Sequence, residues 1–452
     1  MDIMKPEKII VIGGNAAGPS AAAKAKRTSP DSDVIMFEAG NYISTGTCEL
    51  PYLISNEIKD YNEIIFFDEE SFFREKGVKV FLKHRVEHID KKNKTISVKD
   101  LRIDESKEYQ YDKLILSTGS SVKKIPSLDY NLENVNVLKT VSDYLQISNY
   151  LENEKVFRVG IIGSGYIGLE LTEAFKRIGK KVLLFEKEIL PLPGADPEIQ
   201  NLIAELLKIN DVEFFGSSGD LKFLSDDTKI SGLGIEGRNL DVDLLISAIG
   251  FAPNNILAKK SGLDITPNGG IKVDTKMRTS DQHIFAAGDC VEVQNKITNN
   301  FEYIPLATFA HDQGHIAGAN AAGENEHFYP VTKNIAVRVF NKSVVLVGLN
   351  SEEAKEEGFK FNSVKAVVPN LVKVMPESKT VFGKIIFEKK SGKILGAQFI
   401  GECEAIGFGD LISAMIELKA GVQDLGRINF NYTPPYSPFI NLLSVLGRKA
   451  KL

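Results

Sequence analysis

The chain has 452 residues, more than a single hydrophobic core usually serves, so two or three domains are expected. Its composition, 43% hydrophobic and 25% charged, is that of a globular protein, and a formal net charge of −5 argues against bulk nucleic-acid binding. Three cysteines exclude a disulfide framework and fit a reducing compartment.

Met1 to Pro6 carries no hydrophobic leader, and no apolar run is long enough for a membrane span, so a cytoplasmic protein without a membrane partner is expected. Residues 7–12 form a short apolar run ending in glycine, which predicts a buried parallel strand. The turn Gly13-Gly14-Asn15-Ala16-Ala17-Gly18 opens a small-residue helix over 16–27, and residues 33–38 give the next strand, ending on Glu38. Cys48 follows in Ser44-Thr45-Gly46-Thr47-Cys48-Glu49-Leu50-Pro51-Tyr52, at an expected loop-to-helix transition. Residues 113–120 close this first unit and contain Thr118 and Gly119.

The same strand–turn–helix–strand unit recurs over 158–186, with the turn Gly163-Ser164-Gly165-Tyr166-Ile167-Gly168, and closes on 243–250 at Gly250. A third glycine segment, Ala286-Ala287-Gly288-Asp289, comes too late for that unit and is expected to return the chain to the first. From about Pro330, apolar segments at 337–340, 344–347, 383–387 and 394–400 precede a helical stretch over 407–418, an α+β pattern. The fold class is therefore α/β: two Rossmann-like dinucleotide-binding domains and a C-terminal α+β domain. The predicted boundaries are 1–120 with 251–329 for an FAD-binding domain, 121–250 for an inserted NAD(P)H-binding domain, and 330–452 for the last. No low-complexity linker separates them, so they should pack tightly.

Gly163-x-Gly165-x-x-Gly168 is the fuller fingerprint. Its first glycine allows a tight turn, its second lets a pyrophosphate approach the backbone, and its third lets helix meet strand. Glu186, eighteen positions past Gly168, can bind both ribose hydroxyls and favours NADH, with NADPH the alternative because Lys180 and Lys187 are near. The first fingerprint departs from the pattern at Asn15, though Glu38 stands in the matching acidic place. Gly13 to Gly18, Glu38, Thr118, Gly119 and Asp289 are the candidate FAD contacts, and Gly163 to Gly168, Glu186 and Gly250 the candidate NAD(P)H contacts. Asp289 can accept from a sugar-like hydroxyl chain or cap a helix. Cys48 reads either as a thiolate stabilised by a helix N-terminus or as a buried apolar cysteine, and Glu49 beside it opposes the thiolate. Cys290 is expected behind the first site, Cys403 in a structural position, and no metal site is expected.

With both fingerprints, the Gly-Asp segment and the isolated cysteine, the chain resembles the flavin-dependent pyridine nucleotide–disulfide oxidoreductases over nearly its whole length. It is most similar to the single-cysteine branch: coenzyme A disulfide reductases, NAD(P)H-dependent persulfide reductases, NADH oxidases and NADH peroxidases. Two-cysteine members carry a second cysteine where this chain has Leu53, and oxidases and peroxidases carry a histidine where it has Ala16. Ser44, Pro51-Tyr52 and Tyr432-Thr433-Pro434-Pro435-Tyr436-Ser437 match the coenzyme A disulfide reductase pattern. Glu49 and the segment Val372-Lys373-Val374-Met375-Pro376 depart from it.

The resemblance implies a homodimer joined by the C-terminal domain, in which NADH and FAD reduce a small thiol disulfide or persulfide through Cys48. Ser44 is implied near the cofactor, and Tyr166 as a cover over the nicotinamide pocket. Tyr432 is implied to reach the partner's Cys48 and protonate a departing thiolate, with Tyr436 the neighbouring candidate; plain aromatic packing in a Pro-rich turn is the alternative for both. Coenzyme A is the candidate adduct on Cys48, and Lys24-Ala25-Lys26-Arg27 could meet its phosphates or form a solvated helix face. Two other readings remain open: an NADH oxidase or peroxidase cycling through Cys48 sulfenic acid, and a flavin-bearing, NADH-responsive redox sensor.

Overall fold

The computed structural model describes residues 6–451, so the expectation for the extreme N-terminus falls mainly outside the described residues. Strand β1 (Lys8–Ile12) lies at the centre of a five-stranded parallel sheet. Its neighbours are β2 (Asp33–Phe37) and Lys113–Leu116, with Lys79–Phe81 and Ile284–Ala286 at the edges. Ile9, Ile10 and Val11 are fully buried because both sheet faces are covered, which is why this strand reads as an unbroken apolar run. One face carries helix α1 (Ala17–Thr28) and the helix Ala307–Ala321; the other carries the antiparallel meander of residues 84–110. The two helices touch backbone to backbone: a Cβ on Gly314 or Gly318 would collide with the carbonyl oxygen of Ala17 or Ala21. The alanine-rich composition of α1 serves this approach.

The second sheet repeats the plan. Strand β3 (Arg158–Ile162), helix α2 (Tyr166–Arg177) and strand β4 (Lys181–Phe185) sit in a parallel sheet ordered Val135–Asn136, Leu244–Ser247, β3, β4, Glu213–Phe215. An antiparallel pair, Ser120–Val122 with Phe251–Pro253, joins the two passages of chain between the sheets. The late Gly288-Asp289 turn follows Ile284–Ala286 and so belongs to the first sheet.

Beyond residue 330 the chain forms a five-stranded antiparallel sheet ordered Asn334–Val339, Lys342–Gly348, Ile394–Gly401, Thr380–Glu388, Phe361–Pro369. Helices Glu404–Glu417 and Leu442–Lys449 contribute to its core. The edge strand Phe361–Pro369 has few buried side chains, which explains its weak apolar signal in sequence. The three parts pack tightly: Leu53 and Ile54, Leu169 and Phe175, and Val337, Val339 and Ile400 share one apolar cluster. Among the described residues, no helix is long and apolar enough to cross a membrane, and no group of three or more His, Cys, Asp or Glu side chains could hold a metal ion.

Candidate active site

Both glycine turns and Cys48 line one cavity of about 1400 Å³. Gly13 to Ala17, Glu38, Thr118, Gly119 and Asp289 enter it from the first sheet, and Gly163, Gly165, Tyr166, Ile167, Glu186 and Gly250 from the second. Gly13 takes a φ of 107°, and a side chain there would strike the Ser117 carbonyl oxygen. Gly18 and Gly168 are not on the wall; a Cβ on either would overlap the carbonyl oxygen of Gly13 or Gly163, so each sets the contact of helix with turn. A Cβ on Gly165 would meet no atom within 4 Å, so its absence leaves room for a ligand to approach the backbone at the start of α2. This open cradle, the free N–H groups of a helix start and an acid at each strand end fit a dinucleotide on each sheet.

Each acid is fastened to its own turn. Glu38 accepts from the backbone N–H groups of Gly14 and Gly40, both at 2.6 Å, while burial pushes its carboxyl above the usual range. Glu186 Oε2 accepts from the Ser164 N–H at 2.8 Å and its hydroxyl at 2.9 Å. A carboxylate oxygen has more than one lone pair, so both acids can still accept from a ribose. Asn15, which breaks the first fingerprint, accepts the Thr45 N–H through Oδ1 at 3.0 Å and ties the turn to the cysteine segment.

Cys48 lies in the 3-10 turn Thr47–Glu49, just before the helix Leu50–Ile54, and is exposed to the cavity. The expectation that a helix N-terminus would favour its thiolate is corrected: burial, then Glu49, Glu170 and Asp289, push the thiol upward. A five-residue helix has too small a dipole to offset three carboxylates.

Other expectations are corrected too. Ser44 is off the cavity wall; it has a φ of 49° and donates its N–H to the Gly14 carbonyl at 2.8 Å, shaping the turn. Asp289 caps no helix, since it lies in a turn and the next helix begins at Ala307; it accepts the Ser120 hydroxyl through Oδ2 at 2.9 Å. Lys24 is paired with Glu324 and Glu326, and Lys26 donates to the Pro30 and Ser32 carbonyls, which commits two of the three basic side chains of α1. Cys403 is exposed at the N-cap of Glu404–Glu417 and is no part of the core. Cys290 is fully buried and off the cavity wall.

Tyr432 and Tyr436 do not line the cavity of their own chain. They are 48% and 82% exposed, in an irregular segment that also exposes Phe439 and Ile440.

Among the wall residues that the motifs missed are Glu170, Lys139, Ser120 and Tyr303. Glu170, one helical turn past Tyr166 on α2, is pushed up to about 7 by burial and faces the Tyr52 hydroxyl at 3.4 Å; its i+4 spacing was the available signal. Lys139, Ser120 and Tyr303 meet near Asp289 only through tertiary packing, and nothing in their spacing marks them.

Comparison with known proteins agrees with this architecture. Residues 7–314 match the family model for pyridine nucleotide-disulphide oxidoreductases, and residues 336–441 match the dimerisation domain of the same family. The chain is 30% identical to a CoA-dependent NAD(P)H sulfur oxidoreductase of Pyrococcus abyssi, across 100% of both chains. It is equally similar, at 30%, to an NADH oxidase of Methanocaldococcus jannaschii, across 98% of both. The solved NAD-dependent persulfide reductase from A. fulgidus superposes with a TM-score of 0.94 at 31% identity, covering 98% of this chain and 82% of that one.

Proposed function

The chain belongs to the pyridine nucleotide-disulphide oxidoreductase family, and we propose that it is a flavin-dependent NAD(P)H oxidoreductase that reduces a low-molecular-weight disulfide or persulfide through Cys48. The observation that carries this reading is the single cavity that holds two dinucleotide turns and one accessible thiol. FAD fits the Gly13–Ala17 turn with Glu38 and Asp289, and NADH fits the Gly163–Ile167 turn with Glu186. Bound there, the two cofactors supply hydride and electron-pair transfer, which no side chain provides.

The chain's own residues do the rest. Cys48, as thiolate, attacks one sulfur of the substrate; the old S–S bond breaks, a mixed disulfide forms, and the departing thiolate takes a proton. Tyr432 of the partner subunit is the proposed proton donor, with Tyr436 beside it. The dimerisation-domain match and the exposed apolar segment around these tyrosines support a homodimer. Among the described residues no second cysteine lines the cavity, so the mixed disulfide has no internal thiol to resolve it. The electron pair must therefore arrive from the cofactor side of Cys48. Tyr166, at the first turn of α2 and on the cavity wall, is the proposed cover over the pocket where NADH enters.

Coenzyme A is the proposed thiol, a choice supported by the CoA dependence in the name of the Pyrococcus abyssi relative. Mass spectrometry of the unreduced protein should find a thiol adduct on Cys48, and Cys48→Ser should stop disulfide reduction while leaving bound FAD in place. A Cys48→Ser protein that reduces disulfides at the parental rate sinks the proposal. The equal similarity to an NADH oxidase favours a second reading, oxygen reduction through a Cys48 sulfenic acid. Rapid oxygen consumption without added disulfide, lost in Cys48→Ser, would select it.

A further inference from the structure

Strand Asn334–Val339 opens the C-terminal unit, and its Ile335, Ala336 and Val337 line the cavity. Arg338, next along, is off the wall, and so is Tyr52, four residues past Cys48. Behind the wall the two meet: the Arg338 guanidinium lies 4.7 Å from the centroid of the Tyr52 ring. The same guanidinium donates to Glu57 twice, at 2.9 Å through Nη1 and 2.5 Å through Nη2. These bonds hold the Glu57 carboxyl down at about 2. Arg338 thus grips the cysteine segment within the helix Leu50–Ile54 and again just past its end. Its Nε is 3.1 Å from Glu173 Oε1 on α2, an ionic approach without hydrogen-bond alignment. The Tyr52 hydroxyl in turn lies 3.4 Å from Glu170, the wall residue of α2.

The two sides of this junction do not depend on Arg338 equally. Glu173, buried at 2% exposure, keeps Arg177 at 2.7 Å and the Phe340 N–H at 2.8 Å without it. Glu57 would keep the Ser55 hydroxyl at 2.9 Å and Arg177 only at 3.8 Å, and Tyr52 would lose the cation on its ring. Removing Arg338 therefore frees the cysteine segment while α2 stays fastened.

We propose that Arg338 is a positioning residue for disulfide reduction, which holds the Cys48 turn at its place on the cavity wall through Tyr52 and Glu57. The proposal rests on the reading of Cys48 as the thiol that attacks the substrate. An attacking atom must meet its target within a narrow range of distance and angle, and a displacement of about 1 Å can cost about a hundredfold in rate. Arginine suits the task because its planar fork bonds a carboxylate twice while its face covers a ring; lysine offers the charge alone.

The test is anaerobic rapid mixing of the holoenzyme with coenzyme A disulfide or cystine, whichever the parent reduces faster. Arg338→Met should slow oxidation of the reduced protein by the disulfide by about tenfold or more, with flavin reduction by NADH at the parental rate. Arg338→Lys should fall between the two. Tyr52→Leu should slow the same step, and adding Arg338→Met to it should cost less than Arg338→Met costs in the parent. Iodoacetamide labelling of the thiol-reduced holoenzyme, resolved by peptide mass spectrometry, should quicken several-fold at Cys48, with exposed Cys403 unaltered as the internal reference. Should Arg338→Met fail to fold, Glu57→Gln, which weakens the grip and keeps its shape, is measured in its place. Disulfide reduction at the parental rate, equal slowing of both half-reactions, or full additivity with Tyr52→Leu overturns the proposal. A parent inert towards every disulfide and persulfide offered overturns the functional reading, while the labelling of Cys48 still decides whether Arg338 holds it in place.

Discussion

Glu38 accepts the backbone N–H of Gly14 at 2.6 Å, so the acid ending β2 is tied to the turn ending β1. Glu38→Ala should strand the part-buried N–H of Gly14, costing about 1–3 kcal/mol, while the exposed N–H of Gly40 can turn to water. The purified variant should carry much less FAD, read from the flavin-to-protein absorbance ratio, and melt at a lower temperature. Full flavin content with an unchanged melt would show that the tie does not matter.

Gly168→Ala tests the second turn alone. Its Cβ would overlap the Gly163 carbonyl oxygen, and α2 must move away from β3 to make room. Affinity for NADH should fall at least tenfold, measured as the NADH concentration for half-maximal flavin reduction under anaerobic conditions. FAD content should be unaffected, because the first sheet is untouched. Equal loss of both cofactors would argue against independent sites.

Glu170 titrates between its ordinary value near 4.5 and about 7. Over that window the unfolded chain ionises this carboxyl while the folded chain keeps its proton. Stability therefore falls as pH rises from about 4.5 to 7, by at most about 3 kcal/mol, and is level above. Glu170→Gln lacks this loss, so its melting temperature relative to the parent should climb between pH 5 and pH 8. A difference that stays flat across that range would remove the buried-carboxyl assignment.

The same substitution bears on Cys48, whose thiol is held up partly by the Glu170 charge. In flavin-stripped protein, alkylation by iodoacetamide should rise with pH and inflect above the ordinary cysteine range. Glu170→Gln should move that inflection downward. No movement would mean the two groups do not sense one another.

Tyr432→Phe should slow turnover of a small disulfide by tenfold or more while leaving flavin reduction by NADH at the parental rate. The phenol is needed only when a thiolate departs, so the two half-reactions should separate in rapid-mixing experiments. Slowing of both would point to a packing role for the ring.

The local sequence determined a good deal. Strand–glycine–helix–acid order is a short-range pattern, set by turn sterics and by apolar runs covered on both faces, so both parallel sheets and their turns were legible from 7–38 and 158–186. Cys48, Gly165, Glu38 and Glu186 could be marked as wall residues for the same reason. Other features depended on long-range packing. The antiparallel sheets over 84–110 and 222–241 carry many exposed, charged positions, and the edge strand Phe361–Pro369 buries little, so their patterns are faint. Asp289 meets Ser120 from 169 residues away, and Lys139 reaches the same hydroxyl. Burial and the neighbouring Glu49 push the Cys48 thiol up first, and Glu170 and Asp289, brought close by the meeting of two sheets, add to it. A single sequence records which turns a backbone can make; which charges share a low-dielectric cavity is decided only when those turns are packed against each other.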